Sequence, residues 1–226
     1  MSAQILRAAL PYVHSHGFTR AAFSQITAPG TFVPLSGTAL EALLGANPER
    51  ALLAEWLQNG LEDMRVLARD DLQHLHQKHD QLKHVLLRRL QYNTPLLHHL
   101  PQAFRSFTAL EIRPVPSPLS SVLRTPRPLV SHVVAVADEA LHLAKDEARG
   151  PEWHARRALV GGIYGLAESH QLKSTSPQDD SAAKLLSRLL DEASRVKSAG
   201  EEIEQFGSYI LRSALGIVHS AGALIR

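Results

Sequence analysis

PEWHARRALVGGIYGLAESH, residues 151–170, reads as one helix. Pro151 suits a first helical position, where its missing N–H would be unpaired anyway. Glu152 places a carboxylate at the positive end of the helix dipole. Leu159, Ile163 and Leu166 recur at helical spacing and make an apolar stripe. Beside them runs a row of small residues, Ala158, Gly161, Gly162 and Gly165. Each glycine in a helix interior costs about 1 kcal/mol relative to alanine, so something compensates. Either a second helix packs closely there, or the space holds a ligand. Trp153-His154, followed by Arg156-Arg157, stands at the exposed start of this helix. Such a Trp is either a packing anchor or a partner hot spot.

Working outward, the 226-residue chain is long enough for one sizeable helical domain or two small ones, and 44% of it is hydrophobic, enough for a core. A formal net charge of +2 is too small to argue for nucleic acid by itself. There are no cysteines, which excludes disulfides, thiolate zinc sites and a cysteine nucleophile. No run of 18 uncharged apolar residues precedes residue 205, so no conventional membrane span interrupts the body. Neither a secretory signal nor a transit segment opens the chain, so a presequence for organelle import would have to lie outside it.

Residues 2–16 read as a helix capped by Ser2, kinked or ended near Pro11 and stopped by Gly17. Thr19 caps a short second helix, Arg20 to Ile26. Pro29, Gly30, Pro34 and Gly37 leave only short helical pieces before Asn47-Pro48-Glu49 opens a long helix through Trp56, Leu61 and Leu67. This order resembles the DNA-binding end of TetR-family repressors. DNA binding needs cations for phosphates and polar side chains for base edges. Between Ala21 and Glu49 there is no Lys or Arg, and the recognition piece offers Leu35 to Leu40 and then Glu41. The expectation is a helix-turn-helix shape without DNA-binding function.

His74, His76, His79 and His84 invite a metal reading, but their spacing on a helix is poor and no general base accompanies them. A solvated helix–helix connection is expected. Leu82, Val85, Leu86 and Leu90 return to an amphipathic pattern, broken at Asn93-Thr94-Pro95. A further helix or two, interrupted near Pro101, runs from Leu96 to Leu110. The prolines from Pro114 to Pro128 predict an irregular crossing segment with a short helical piece near Leu119 to Leu123. Ser131 to Ala148 is amphipathic and stopped by Gly150, and a cap-rich start at Ser174 to Asp180 leads a helix to about Lys197. Ser198-Ala199-Gly200 reads as a hinge. From Gln205 to Ile225 the only fixed charge is Arg212, so the last helix is a wide apolar face with a narrow polar strip. It could pack on the domain, lie in a membrane interface or mediate dimerisation. A span is disfavoured because Arg212 would sit at mid-depth.

Two groups of motifs carry a family resemblance. Ile5-Leu6 with Ala8-Ala9-Leu10 and His16-Gly17-Phe18-Thr19 form the first. The second is Asp138-Glu139, then Trp153-His154-Ala155-Arg156-Arg157-Ala158, Ile163-Tyr164 and Glu168, continued by Ser176-Pro177. Together they resemble the coenzyme Q (ubiquinone) biosynthesis accessory protein family over most of the chain, least from Ala28 to His84. The resemblance implies an all-α, TetR-like helical bundle with a degenerate N-terminal helix-turn-helix and a C-terminal amphipathic helix. Residues 1–197 would be the lipid-binding domain, with 1–56 the degenerate portion, and 198–226 the hinge and membrane helix.

The resemblance implies a non-enzymatic accessory protein of ubiquinone biosynthesis, without cofactor, metal or catalytic residues. It would be peripheral to the matrix side of the mitochondrial inner membrane and would bind an isoprenoid or quinone lipid. Leu141, Ala158, Leu159, Gly162, Ile163, Gly165 and Leu166 would border the lipid. Phe206, Ile210, Leu211, Leu215, Ile217, Val218 and Leu224 would enter the phospholipid membrane. Asp138, Glu139, Trp153, His154 and Arg157 would receive the demethoxyubiquinone hydroxylase, alongside other coenzyme Q biosynthesis proteins. His154 stands where the family has Tyr, and Ala140-Leu141 where it has Met-Trp. No nucleic acid is expected, a homodimer is one further assembly considered, and a TetR-like transcription regulator is the alternative.

Overall fold

A computed structural model describes residues 2–26, 36–109, 127–174, 176 and 178–198. Among these residues the fold is all-helical, without a strand. The expected helix at 119–123 and the membrane residues Phe206 to Leu224 lie outside the described residues.

Proline and glycine divide the N-terminal third. Helix α1 (Ser2–Ala9) passes through a 3-10 turn, Leu10–Tyr12, into α2 (Val13–His16). The break falls at Pro11, which cannot donate the helical hydrogen bond. Gly17, at φ 67°, ends α2 in a conformation open to glycine. Helix α3 (Arg20–Ser24) follows. Thr19 does not cap it as expected; its hydroxyl donates backward to the His16 carbonyl at 2.8 Å. Helix α4 (Gly37–Leu44) is capped by Ser36, whose Oγ accepts from the Ala39 amide at 3.2 Å.

Helix α5 (Pro48–Asp71) is the spine, 24 residues long, or about 36 Å. A 3-10 turn and a short link lead to α6 (Lys78–Asn93). Thr94–Leu96 form another 3-10 turn, and α7 (Leu100–Ala109) then takes Pro101 into its first turn. Pro101 therefore opens a helix rather than interrupting one. Helix α8 (Arg127–Leu143) ends earlier than its periodicity predicts, with Lys145 at φ 53° in the link that follows. Helix α9 (Pro151–Gln171) starts behind Gly150 at φ 62°, and α10 (Ser181–Ser198) behind Asp179, whose carboxylate accepts from the Ser181 amide at 2.9 Å. No helix of the described residues is long and apolar enough to cross a membrane.

Two apolar cores share the spine. The first gathers Ile5, Val13, Phe23, Leu40, Leu52, Trp56, Leu100 and Phe104, joining α1–α4 and α7 to the start of α5. The second gathers Met64, Leu86, Val136, Ala140, Ile163, Tyr164, Leu186 and Leu190, joining the later part of α5 to α6 and α8–α10. Buried polar residues accompany the two cores: Arg89, Asn93, His132, Glu168 and Gln171.

Candidate functional site

The exposed start of α9 carries the first candidate. Trp153 is 36% exposed. The Arg157 guanidinium lies 3.9 Å from the centre of its ring, and the His154 ring meets it edge-on at 4.6 Å. Arg157 is itself paired with Asp138 of α8. The stacked cation and the ion pair hold an aromatic surface in one orientation, and cation–π contacts at such exposed positions contribute about 0.5–1 kcal/mol. A large, pre-oriented aromatic rimmed by charge is the composition of a protein-binding hot spot.

Of the five residues expected to receive a partner, four meet here: Asp138, Trp153, His154 and Arg157. Glu139 does not join them. It turns toward α5, where Arg65 donates to it at 2.6 Å, and its side chain is only 12% exposed. Adjacent positions on a helix point about 100° apart, so an acidic pair divides between two neighbours. Arg156 is likewise drawn away, held by Asp146 and by Glu152.

Gly161 and Gly165 of α9 are taken up by packing. A Cβ on Gly161 would lie 3.4 Å from the Val133 carbonyl and 3.6 Å from the Ala137 Cβ, and one on Gly165 would lie 3.3 Å from the Val133 Cγ1. Helix α8 thus occupies the room these glycines leave. Ile163, Leu166 and Leu141 are buried core residues, and Leu159, Gly162 and Gly165 are half-buried. Ala158 is exposed. The ridge Ala158–Gly162–Gly165 therefore does not, as a whole, border an interior space, because its first member faces outward. A groove of about 550 Å³ lies elsewhere, along α10 beside α6. Asp180, Lys184, Arg188 and Asp191 line much of it, a surface unlike that of an apolar lipid site.

The histidines 74–84 do not form one helical face. His74 ends the 3-10 turn, His76 lies in the link, and His79 and His84 belong to α6. His79 is engaged with Asp191 at 2.9 Å, which Lys83 also approaches. On the helix-turn-helix portion, Arg20 donates to Glu41 of α4 at 2.7 Å and to Glu49 of α5 at 2.9 Å. Arg20, which reaches the recognition helix, is thus already committed to carboxylates of its own chain.

Sequence reasoning missed a second candidate, a buried polar layer linking α6, α8 and α9. The Glu168 carboxylate accepts from Tyr164 Oη at 2.8 Å and Asn93 Nδ2 at 3.0 Å, and it meets His132 Nε2 at 3.1 Å. Burial pushes its pKa up, but the charge and hydrogen bond of His132, with Arg89 and Asn93, outweigh that and hold it at about 2. Burial also pushes the Tyr164 hydroxyl well up, so it stays a donor. Arg89, fully buried, donates Nη1 to Asn93 Oδ1 at 2.7 Å. Gln171 accepts from Asn93 and donates to the Leu90 carbonyl at 2.9 Å. The signal in the sequence is two i,i+4 polar pairs, Arg89/Asn93 and Tyr164/Glu168, the second set among apolar residues, together with Gly60 in mid-helix.

Residues 127–197 match the family model described as COQ9. The chain is 24% identical to the ubiquinone biosynthesis protein COQ9, mitochondrial, of Rattus norvegicus, over 94% of this chain and 65% of that one. It is 25% identical to the Homo sapiens protein of the same name, over 94% and 64%. To the Schizosaccharomyces pombe ubiquinone biosynthesis protein coq9, mitochondrial, it is 27% identical, over 59% and 48%. The chain thus spans about half to two thirds of the length of these relatives. The family indicated by the motifs and the family carried by these matches are the same one.

Proposed function

From this COQ9 resemblance, carried through α8, α9 and α10, we propose that the chain is an accessory protein of ubiquinone biosynthesis. It acts in mitochondria as a carrier and docking protein rather than as an enzyme. It binds an isoprenoid or quinone lipid, meets the membrane through the apolar segment from Phe206 to Leu224, and presents the lipid to the demethoxyubiquinone hydroxylase. The observation that carries the docking part is the Trp153 ring, 36% exposed yet fixed by Arg157 and Asp138. A large apolar surface held rigid in solvent has its ordering cost already met before a partner arrives.

Burying Phe206, Ile210, Leu211, Leu215 and Ile217 in a bilayer surface would contribute up to about 1.5–3 kcal/mol each. The DNA-binding alternative is disfavoured by Arg20, which is spent on Glu41 and Glu49. The deciding experiment is a pull-down of the hydroxylase with Trp153→Glu. Loss of capture with an unchanged circular dichroism spectrum is expected, and unchanged capture overturns the assignment of this patch.

A further inference from the structure

Arg89 is the one described arginine that is fully buried, and two of its nitrogens have no acceptor. Its Nη1 serves Asn93, while Nε and Nη2 have no hydrogen-bond acceptor. The guanidinium lies 5.5 Å from the centre of the Trp56 ring and 5.3 Å from that of Tyr92. Those two rings are 5.0 Å apart, and Phe18 meets Trp56 edge-on at 5.8 Å. The aromatic faces ease the burial of the charge, but a ring face does not replace an in-line acceptor for an N–H. A buried donor left without one costs about 1–3 kcal/mol.

Gly60 makes the arrangement sterically possible. A Cβ there would stand 2.9 Å from Arg89 Cζ and 3.1 Å from Tyr92 Cδ1. Trp56 is buried, whereas Tyr92, whose ring adjoins the guanidinium, is only half-buried.

We propose that Arg89 anchors a carbonyl oxygen of a ring-bearing ligand, taken in at the α5–α6 seam beside Trp56 once the Tyr92 ring swings aside. This rests on the quinone-lipid reading above and assigns the head of that lipid to a place. The Nε and Nη2 hydrogens lie in one plane and can converge on a single oxygen. Trp56, 5.5 Å from the guanidinium, supplies a face for a flat ring. Glu168 already provides a buried anion in the same polar layer, so an acceptor without charge suits the site. A phosphate or carboxylate would add a second buried anion and its desolvation penalty.

The test uses the full chain carrying Trp153→Phe, which leaves Trp56 as its sole tryptophan, since the chain has two. The probe is a ubiquinone analogue with a single isoprene unit, which quenches indole fluorescence on contact. Saturable quenching is expected. Arg89→Lys and Gly60→Ala, each checked for native helicity, should weaken half-saturation by about tenfold or more, whereas Tyr92→Phe should not. A short-chain phosphatidic acid should fail to displace the quinone; displacement that depends on Arg89 overturns the neutral-acceptor assignment. Trp56 fluorescence unaffected by the quinone in the otherwise native layer overturns the site, as does equal half-saturation in folded Arg89→Lys and Gly60→Ala. Mass spectrometry of an organic extract of the purified chain separates this from the carrier reading. Co-purified quinone lipid with Trp56 unquenched removes the site and keeps the carrier. Arg89-dependent quenching without any co-purified lipid supports the site and removes the carrier.

Discussion

Replacing Glu168 with leucine should be the most damaging single change within the described core. The leucine fits the volume but removes the acceptor shared by Tyr164, Asn93 and His132, and the buried anion facing Arg89. Breaking a buried charge set by deleting one member costs about 3–5 kcal/mol, because the partner charge is left uncompensated. The orphaned Tyr164 hydroxyl adds to this, though not additively. For a chain of this size each kcal/mol moves the melting point by about 2–4 °C, so a fall of about 6–20 °C is expected by circular dichroism at pH 7. Glu168→Gln keeps the shape and one acceptor and should lose roughly half as much.

A pH titration sharpens the test. The folded pKa of Glu168 is about 2, below its unfolded value near 4.3. A depressed carboxylate stabilises the fold fully above the unfolded pKa and loses that contribution as pH falls toward the folded one. Wild-type stability should therefore decline between about pH 4.3 and 2, and Glu168→Gln should lack that component. A Glu168→Leu melting point within about 2 °C of wild type would refute the reasoning. So would an identical acid loss in Glu168→Gln.

Gly161→Leu should destabilise the α8–α9 pair by about 2 kcal/mol or more, read by urea unfolding, because its side chain would have to enter the Val133 backbone. Gly165→Ala meets the Val133 side chain, Cγ1 at 3.3 Å and Cβ at 3.9 Å, so helix propensity and crowding should nearly cancel, with a change under about 1 kcal/mol. Asp138→Asn should weaken hydroxylase capture less than Trp153→Glu, since it loosens the Arg157 that stacks on the ring rather than removing the ring; the comparison is a titrated pull-down. A chain ending at Ser198 should lose binding to phospholipid vesicles in flotation, and wild-type binding by that truncation would refute the membrane role of Phe206 to Leu224.

Much of the architecture was legible from local chemistry. Pro11 breaks the first helix, Gly17 stops it, and Pro48 and Pro151 open α5 and α9, because these residues act on the backbone at their own positions. The exposed Trp153 was legible for the same reason, standing in a charged first turn. The acidic pair was only half legible. Helical periodicity says that Asp138 and Glu139 face different ways, but not that Arg157 waits on one side and Arg65 on the other.

Sequence by itself determined the helical class, the breaks between helices, the cation-free recognition piece and the family resemblance, since each depends on residues near one another in the chain. Only the tertiary structure decided that α8 fills the space beside Gly161 and Gly165, and that Arg89, in a helix that reads as amphipathic, is buried over Trp56 and Tyr92. Periodicity assigns a face to each helix but not its occupant. The layer formed by Arg89, Asn93, His132, Tyr164 and Glu168, with Gln171, is tied by hydrogen bonds between residues up to 81 positions apart, as from Gln171 to the Leu90 carbonyl, and exists only once α6, α8 and α9 have been brought side by side.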